Sequence, residues 1–272
     1  MPVDLQGART RAPAVAGLFY PRDAVRLQTE VLELLGGTSP SSKVLPKALI
    51  APHAGYVYSG RVAGAAFAKI RASAQTITRV VLIGPAHYVY LGGIAAPGVE
   101  AFETPLGRVP VDTETCSQIS RFEFVTQTDT PHVPEHALEV ELPFLQTVLS
   151  SFQLVPLVVG DATPQQVAHL LRQLWDAPET LIVVSSDLSH YHDYETAQRL
   201  DLSTAEAIEQ GKWVSLGPTQ ACGWIAVAGL LIETRRRGLG GCRLALCNSG
   251  DTAGSRDRVV GYGAWMFGER GL

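Results

Sequence analysis

Lys47-Ala-Leu-Ile-Ala-Pro-His53 and Arg79-Val-Val-Leu-Ile-Gly-Pro-Ala-His87 decide the fold, because the two stretches have the same form. Each is a continuous apolar run that stops at a proline, which is typical of a strand buried on both faces. Between them, small and apolar residues over 62–70 fall at helical spacing, and Ser59 is predicted to cap that helix. The segment is therefore predicted to be a βαβ unit.

The same alternation of strand and helix continues through the chain. It predicts the α/β fold class, with a mostly parallel central sheet covered by helices. No linker or internal repeat divides the sequence, so residues 1–272 are predicted to form a single domain. The further predicted elements are a hairpin excursion over 92–112, strands over 152–160, 180–185, 243–247 and 258–267, and helices over 163–175, 194–210 and 218–237.

Composition excludes several classes of protein. With 46% hydrophobic and 18% charged residues, the chain can bury a large core, which excludes disorder over most of it. The formal net charge of −4 argues against a nucleic-acid partner, and no apolar run approaches the ~20 residues of a membrane span. The N-terminal sequence fits a secretory signal poorly, so we expect a cytoplasmic protein whose four cysteines form no disulfide.

Histidines follow three of the predicted strands. His53, His87 and His190 lie in polar turns, and a fourth polar turn spans 248–252. Ligands of open α/β sheets bind outside the carboxyl ends of the strands, so these turns are predicted to share one pocket. Two imidazoles and a carboxylate are typical of a non-haem iron site, and the same set accepts zinc. We predict that His53 and His87 are metal ligands; the alternative is that they are hydrogen-bonded turn histidines.

Asp187 precedes His190 by three residues. On the first turn of a helix the two side chains would share a face, as a ligand pair or as an acid and base. The alternative is that Asp187 caps the following helix. His192 would point away from His190 and is expected to be a solvated surface residue.

A second polar segment, 131–141, contains two histidines but is not an HExxH motif, because Pro134 lies between them. A helix is predicted to start at Glu135, which would place Glu135, His136 and Glu139 on one face. These residues are predicted to contact the substrate or to support the metal ligands. The alternative is that the acids are ordinary exposed residues.

Taken together, these motifs resemble those of the Memo-like family, which includes the B component of the AmmeMemoRadiSam system. The resemblance implies a fold like that of the LigB-type class III extradiol dioxygenases, which bind non-haem iron through two histidines and a carboxylate. It also implies a functional link to the other components of that system. The matching segments are RAPAVAGLFYP (11–21), APHAGY (51–56), GPAH (84–87), EHALE (135–139), SDLSH (186–190), SGD (249–251) and VGY (260–262).

The resemblance places His53 and His87 on the metal histidines of the family, and His190 on the acid/base histidine of the dioxygenases. The third ligand departs from the pattern. Animal members have a cysteine in the turn before the final strand, and that position falls on Thr252 here. Asp251 is the expected substitute, held by hydrogen bonds from Ser249 or Thr252. Glu139 and Asp187 are the next candidates for this ligand.

These expectations give one leading functional hypothesis and two rivals. The leading hypothesis is an iron-binding protein that acts as an oxygenase on a small aromatic substrate, with His190 transferring a proton and Asp187 orienting it. Zinc, manganese and copper are the alternative metals. The rivals are a non-catalytic scaffold that binds a peptide or a redox partner in the same pocket, and a zinc hydrolase that uses His190 or Glu139 as its base.

Overall fold

Strands and helices alternate in the computed structural model, which describes residues 7–36 and 46–269. In chain order the elements are β1 (Thr10–Arg11), α1 (Ala24–Leu35), β2 (Ala48–Ala51), α2 (Tyr56–Phe67), β3 (Arg79–Pro85), β4 (Ile94–Ala96), β5 (Ala101–Thr104), β6 (Gly107–Pro110), α3 (Thr113–Ile119), β7 (Val125–Gln127), α4 (Leu142–Val148), β8 (Gln153–Val159), α5 (Pro164–Leu174), β9 (Thr180–Ser185), β10 (His190–His192), α6 (Tyr194–Glu209), α7 (Trp224–Arg236), β11 (Gly240–Asn248) and β12 (Val259–Gly268). Short 3-10 turns cover Ala68–Ser73, Glu139–Glu141, Trp213–Ser215 and Ser249–Asp251.

A nine-stranded sheet forms the centre of the protein, in the order β10-β12-β2-β9-β3-β8-β4-β7, with β11 paired to β12. The four middle strands β2, β9, β3 and β8 are parallel and almost entirely buried. This confirms the predicted α/β fold class with a parallel centre covered by helices. The flanks are antiparallel, because β12 pairs with β2 and β4 pairs with β8 in that sense.

The excursion between β3 and α3 divides between two sheets. Strands β5 and β6 form the predicted hairpin and join β1 in a separate three-stranded sheet. Strand β4 instead extends the main sheet beside β8. None of the helices in the described ranges combines the length and the apolarity needed to cross a membrane.

Two of the predicted helix starts agree with the structure, and two differ from it. The predicted capping box at the start of α5 is present, formed by Thr163 and Gln166. Helix α6 begins at the expected residue, but its cap is Asp193, so Asp187 is not a helix cap. Ser59 does not cap α2, because Gly55 is the cap and Ser59 lies within the helix, where its hydroxyl donates to the Ala54 carbonyl. Helix α7 begins at Trp224, six residues later than predicted from 218.

The prediction that a helix starts at Glu135 is wrong. Residues 135–138 are not helical, and α4 begins only at Leu142, after the 3-10 turn. Proline is tolerated in the first turn of a helix but costs roughly 3 kcal/mol in its interior. Pro143 lies in the first turn of α4, whereas a helix from Glu135 would have placed it in the interior. Side-chain contacts, and not helical hydrogen bonds, therefore determine the path of residues 135–138.

Candidate metal centre

Three histidines meet at the carboxyl end of the central sheet. His53 follows β2, His87 follows β3, and His136 comes from the loop before α4. One ring nitrogen of each lies within 4.8 Å of the others. The ring centroids are 5.1 Å apart for His53 and His87, and 4.7 Å apart for His87 and His136. Because β2 and β3 both pair with β9 in parallel, their ends emerge at one edge of the sheet, as the sequence predicts.

The carboxylate of Glu135 holds His87 in place. Oε1 lies 2.8 Å from His87 Nδ1, and Oε2 accepts the His87 backbone N–H at 2.7 Å. Burial opposes ionisation of Glu135, but these hydrogen bonds and one from the Ala137 N–H outweigh it and lower the pKa of the carboxyl. An ionised carboxylate is only an acceptor, so His87 Nδ1 carries a proton, and Nε2 is the ring nitrogen left for a metal. This carboxylate–imidazole arrangement is typical of metal-binding histidines.

His53 is held from two sides by the end of β9 and the loop after it. Its Nδ1 lies 2.7 Å from Ser185 Oγ, and its backbone N–H donates to Asp187 Oδ1 at 2.8 Å. Burial lowers the pKa of His53 well below its usual value, and the neighbouring histidines add to the effect. His53 is therefore neutral, the state in which an imidazole binds a metal.

His136 contributes a buried nitrogen that makes no hydrogen bond within the described part of the chain. This nitrogen, Nδ1, lies 3.4 Å from Glu135 Oε1. Its ring stacks on His87 and lies 4.9 Å from Phe19 between ring centroids. Burial lowers the pKa of His136 to about 4, so the ring is neutral. A buried, neutral imidazole without a hydrogen bond, beside two others, fits a metal ion with imidazole ligands, of the kind that zinc, copper, iron and nickel prefer.

The histidines line a cavity of about 820 Å³ that also contains His190 and Asp187. His190 Nδ1 lies 2.8 Å from the Leu188 carbonyl, which can only accept, so Nδ1 is protonated and Nε2 is a free base. Burial lowers the pKa of His190 and raises the pKa of Asp187 to about 7. Asp187 does not contact His190 as we expected. The Leu188 carbonyl binds His190, and Asp187 accepts the backbone N–H of His53.

Aromatic and aliphatic side chains surround the mouth of this cavity. Leu18, Val57, Tyr88 and Tyr191 all line it and are all more than half exposed. Tyr191 has a φ of 64°, in the left-handed region that a bulky residue adopts only when its surroundings require it. The Arg258 guanidinium lies 4.9 Å from the centre of its ring. The entrance is therefore apolar, with one cation at its edge.

The structure does not bring Asp251 to the three histidines. Its Oδ1 accepts the Tyr194 hydroxyl and its Oδ2 accepts the Asn248 N–H, and the residue lines two other cavities. Ser249 does line the histidine cavity, but its hydroxyl accepts the Val260 N–H. Thr252 donates to the Ser249 carbonyl. The polar turn is thus occupied with its own hydrogen bonds, and the side chain that lies beside His53 and His87 is His136.

Glu139 is also outside the cluster and is fully buried, not exposed. Its carboxylate forms an ion pair with Arg11 and accepts the Tyr20 hydroxyl and the backbone N–H groups of Ala14 and Val15. These contacts fix the segment 11–20 against the loop before α4. That segment supplies Leu18 and Phe19 to the cavity wall, so Glu139 shapes the site without touching the histidines.

The sequence did not point to two residues of the site. Ser185 ends β9 between the two histidine strands, and the rule that strand ends converge could have identified it. Cys222 places Sγ 3.4 Å from His53 Nε2 and accepts the Asp187 N–H at 3.3 Å. Burial raises the pKa of Cys222 to about 12. No spacing in the sequence indicates this contact, which depends on the close approach of Gly223 to Ser186.

Comparison with known proteins agrees with the resemblance seen in the motifs. The family model for "Memo-like protein" matches residues 11–266. A MEMO1 family protein of Aquifex aeolicus is 35% identical over 95% of this chain and 99% of its own length. One from Thermotoga neapolitana is 36% identical over 93% of this chain and 97% of its own.

A solved structure shares the fold at low sequence identity. The uncharacterized protein JW3007 from Escherichia coli K12 superposes with a TM-score of 0.53 and 11% identity, over 80% of this chain and 98% of that one. This likeness concerns the fold alone. The family match over residues 11–266 and the two relatives over more than nine-tenths of the chain lead to one conclusion: this protein belongs to the Memo-like family.

Proposed function

We propose that this protein binds a transition-metal ion through His53, His87 and His136. The observation that carries the proposal is the meeting of three imidazoles, each with a ring nitrogen within 4.8 Å of the others. His136 Nδ1 is buried and makes no hydrogen bond within the described residues, although Glu135 Oε1 lies 3.4 Å away. A bound cation would use the lone pairs that Glu135 and Ser185 direct inward.

We propose iron as the metal, on the basis of the family resemblance, with zinc, manganese and copper as alternatives. The proposed ligand set contains no carboxylate in contact with the metal, so it differs from the two-histidine and carboxylate sites of most non-haem iron enzymes. A bound iron ion would supply the activation of dioxygen and of a hydroxylated substrate. Three protein ligands leave further coordination positions for these molecules.

The side chains of the cavity have separate roles in such a reaction. His190 is neutral, faces the cavity and presents Nε2, so it can take a proton from a substrate hydroxyl and return it. Asp187 fixes the backbone of His53. The apolar mouth around Tyr88 and Tyr191 binds the flat face of an aromatic molecule or of a peptide side chain.

Metal analysis tests the proposal. Protein purified without oxygen should contain close to one equivalent of metal, and His53→Ala, His87→Ala and His136→Ala should each lose it. His169→Ala is the matched control, because His169 is exposed and packs on Phe122 away from the cluster. Retention of stoichiometric metal in all three cluster variants would refute the site. For the oxygenase part, the iron-loaded protein should consume dioxygen with a catechol, and His190→Ala should slow this step.

Zinc-dependent hydrolysis is the second candidate. The observation that favours it is the ligand set itself, since three histidines are the zinc ligands of one class of hydrating enzyme. In this case the cavity would bind a substrate attacked by water, with His190 as the base. Zinc in the isolated protein, together with ester hydrolysis in the absence of dioxygen, would distinguish this candidate from an oxygenase.

A further inference from the structure

The hydroxyl of Ser185 lies at the centre of a buried polar cluster behind His53. Its Oγ is 2.7 Å from the Ala137 carbonyl oxygen, 2.7 Å from His53 Nδ1 and 3.0 Å from Glu141 Oε1. All four residues are buried. A serine hydroxyl has a single proton to donate and two lone pairs with which to accept. The three contacts therefore constrain where the protons lie.

The Ala137 carbonyl decides the assignment because it can only accept. Ser185 must direct its proton to that oxygen, and its two lone pairs then face the other two neighbours. His53 must donate from Nδ1, which leaves Nε2 as a lone pair. Glu141 must donate as well, which requires a proton on its carboxyl group.

The opposite assignment carries an electrostatic penalty. If Ser185 donated to an ionised Glu141, its oxygen would face the Ala137 carbonyl oxygen at 2.7 Å with no hydrogen between them. Two oxygens with opposed lone pairs at this distance repel each other, and the low dielectric constant of the core strengthens the repulsion. The protonated form of Glu141 avoids the repulsion and satisfies all three contacts.

Burial of Glu141 agrees with this proton count. The side chain has no exposed surface, and within the described residues its second oxygen, Oε2, has no hydrogen-bond partner. Desolvation raises the pKa of Glu141 well above its usual value, the Ser185 hydrogen bond opposes this, and the like charge of Asp187 adds to it. The other titratable group that faces Glu141 is Tyr56, whose own pKa is raised by burial, so it is neutral and adds no charge. An uncharged acid is the form that such a site tolerates.

We infer that Glu141 is a neutral carboxylic acid that donates to Ser185 and, through Ser185, holds His53 with Nε2 free for a metal. Glu141 is thus a positioning residue: it touches neither the metal nor the cavity. The inference about its role rests on the proposed function, because it concerns a histidine of the proposed metal centre.

Metal-free protein tests the proton positions directly. In protein labelled with ¹³C-glutamate, the carboxyl signal of Glu141 is identified by its loss in Glu141→Gln. We expect this signal to stay at the value of a protonated acid from about pH 5 to about pH 7, where an ordinary glutamate is ionised. Long-range ¹H–¹⁵N spectra should show His53 as the Nδ1–H tautomer in wild type and in Glu141→Gln. A Glu141 signal that titrates below about pH 7 would overturn the inference.

Cobalt(II) titration tests the positioning role. Glu141→Gln keeps a neutral donor and should bind cobalt within about twofold of wild type. Glu141→Leu and Ser185→Ala lose the hydrogen bonds that connect Glu141 to His53 through Ser185. These variants should bind cobalt roughly 10- to 100-fold more weakly, the range typical of residues that support metal ligands. Glu123→Gln, on an exposed glutamate, is the control. Wild-type affinity in Glu141→Leu would overturn the positioning role. If wild-type protein bound no cobalt, the proposed function would fail, while the NMR measurements would still decide the proton positions.

Discussion

Replacement of Glu135 by glutamine should weaken both the fold and metal binding. Glu135 is buried and its carboxylate accepts three hydrogen bonds. Oε1 lies 2.8 Å from His87 Nδ1 and 2.9 Å from the Ala137 nitrogen, and Oε2 lies 2.7 Å from the His87 nitrogen. Glutamine has one oxygen in place of two. Whichever way the amide is turned, its NH₂ group faces at least one N–H that then has no acceptor.

The magnitude follows from these contacts. A buried N–H without an acceptor costs about 1–3 kcal/mol, so Glu135→Gln should lower the free energy of unfolding of the metal-free protein by that amount. The variant also loses the negative charge that makes His87 a stronger ligand. Changes of this kind weaken metal binding about 10- to 100-fold, or about 1.4–2.8 kcal/mol.

Two measurements check this prediction. Urea unfolding in the presence of a chelator gives the stability of the metal-free variant, and cobalt(II) titration gives its affinity, each beside wild type and Glu123→Gln. The variant should be impaired in both. If Glu135→Gln binds cobalt as tightly as wild type while His87→Ala loses it, Glu135 does not support His87 and the reasoning is wrong.

Three further predictions concern the ligand set, a buried ion pair and pH. His136→Ala should lose the metal measured by elemental analysis, whereas Asp251→Ala should keep it; the reverse result would return the third ligand to the polar turn. Arg11→Met should lower the free energy of unfolding by about 3–5 kcal/mol in urea, because it leaves the buried carboxylate of Glu139 without its counter-ion, and a loss below about 1 kcal/mol would contradict this. Burial lowers the pKa of His132 to about 4, so between about pH 6.5 and pH 4 the unfolded chain binds a proton that the folded chain does not, and stability falls as pH falls. His132→Leu should reduce this slope by up to about 1.4 kcal/mol per pH unit in urea unfolding at several pH values, and an unchanged slope would show that His132 does not contribute.

The central sheet could be predicted from the sequence because its strands carry a local signal. Runs such as 48–51 and 79–85 are continuously apolar, since both faces of a central parallel strand are covered. The same rule places His53 and His87 at one edge, as the structure has them. Local capping likewise predicted the start of α5. The antiparallel flanks have no such signal, because pairing direction depends on where the whole chain runs.

The rest of the site was decided by contacts between residues distant in sequence. His136 joins the cluster because its loop is tied to Arg11 through Glu139 and to His87 through Glu135, pairs 128 and 48 residues apart. Asp251 was the expected ligand, but its carboxylate is engaged by Tyr194, 57 residues away.

Periodicity and capping act over a few residues, so the sequence by itself determined the α/β class, the central strands and the convergence of two histidines. The third histidine, the partners that fix the tautomers of the cluster and the position of Cys222 came only from the tertiary structure. A loop has no internal period to fix its path. A loop takes the path that leaves the fewest buried polar groups without a hydrogen bond. That path depends on which distant donors and acceptors the packed core brings within reach.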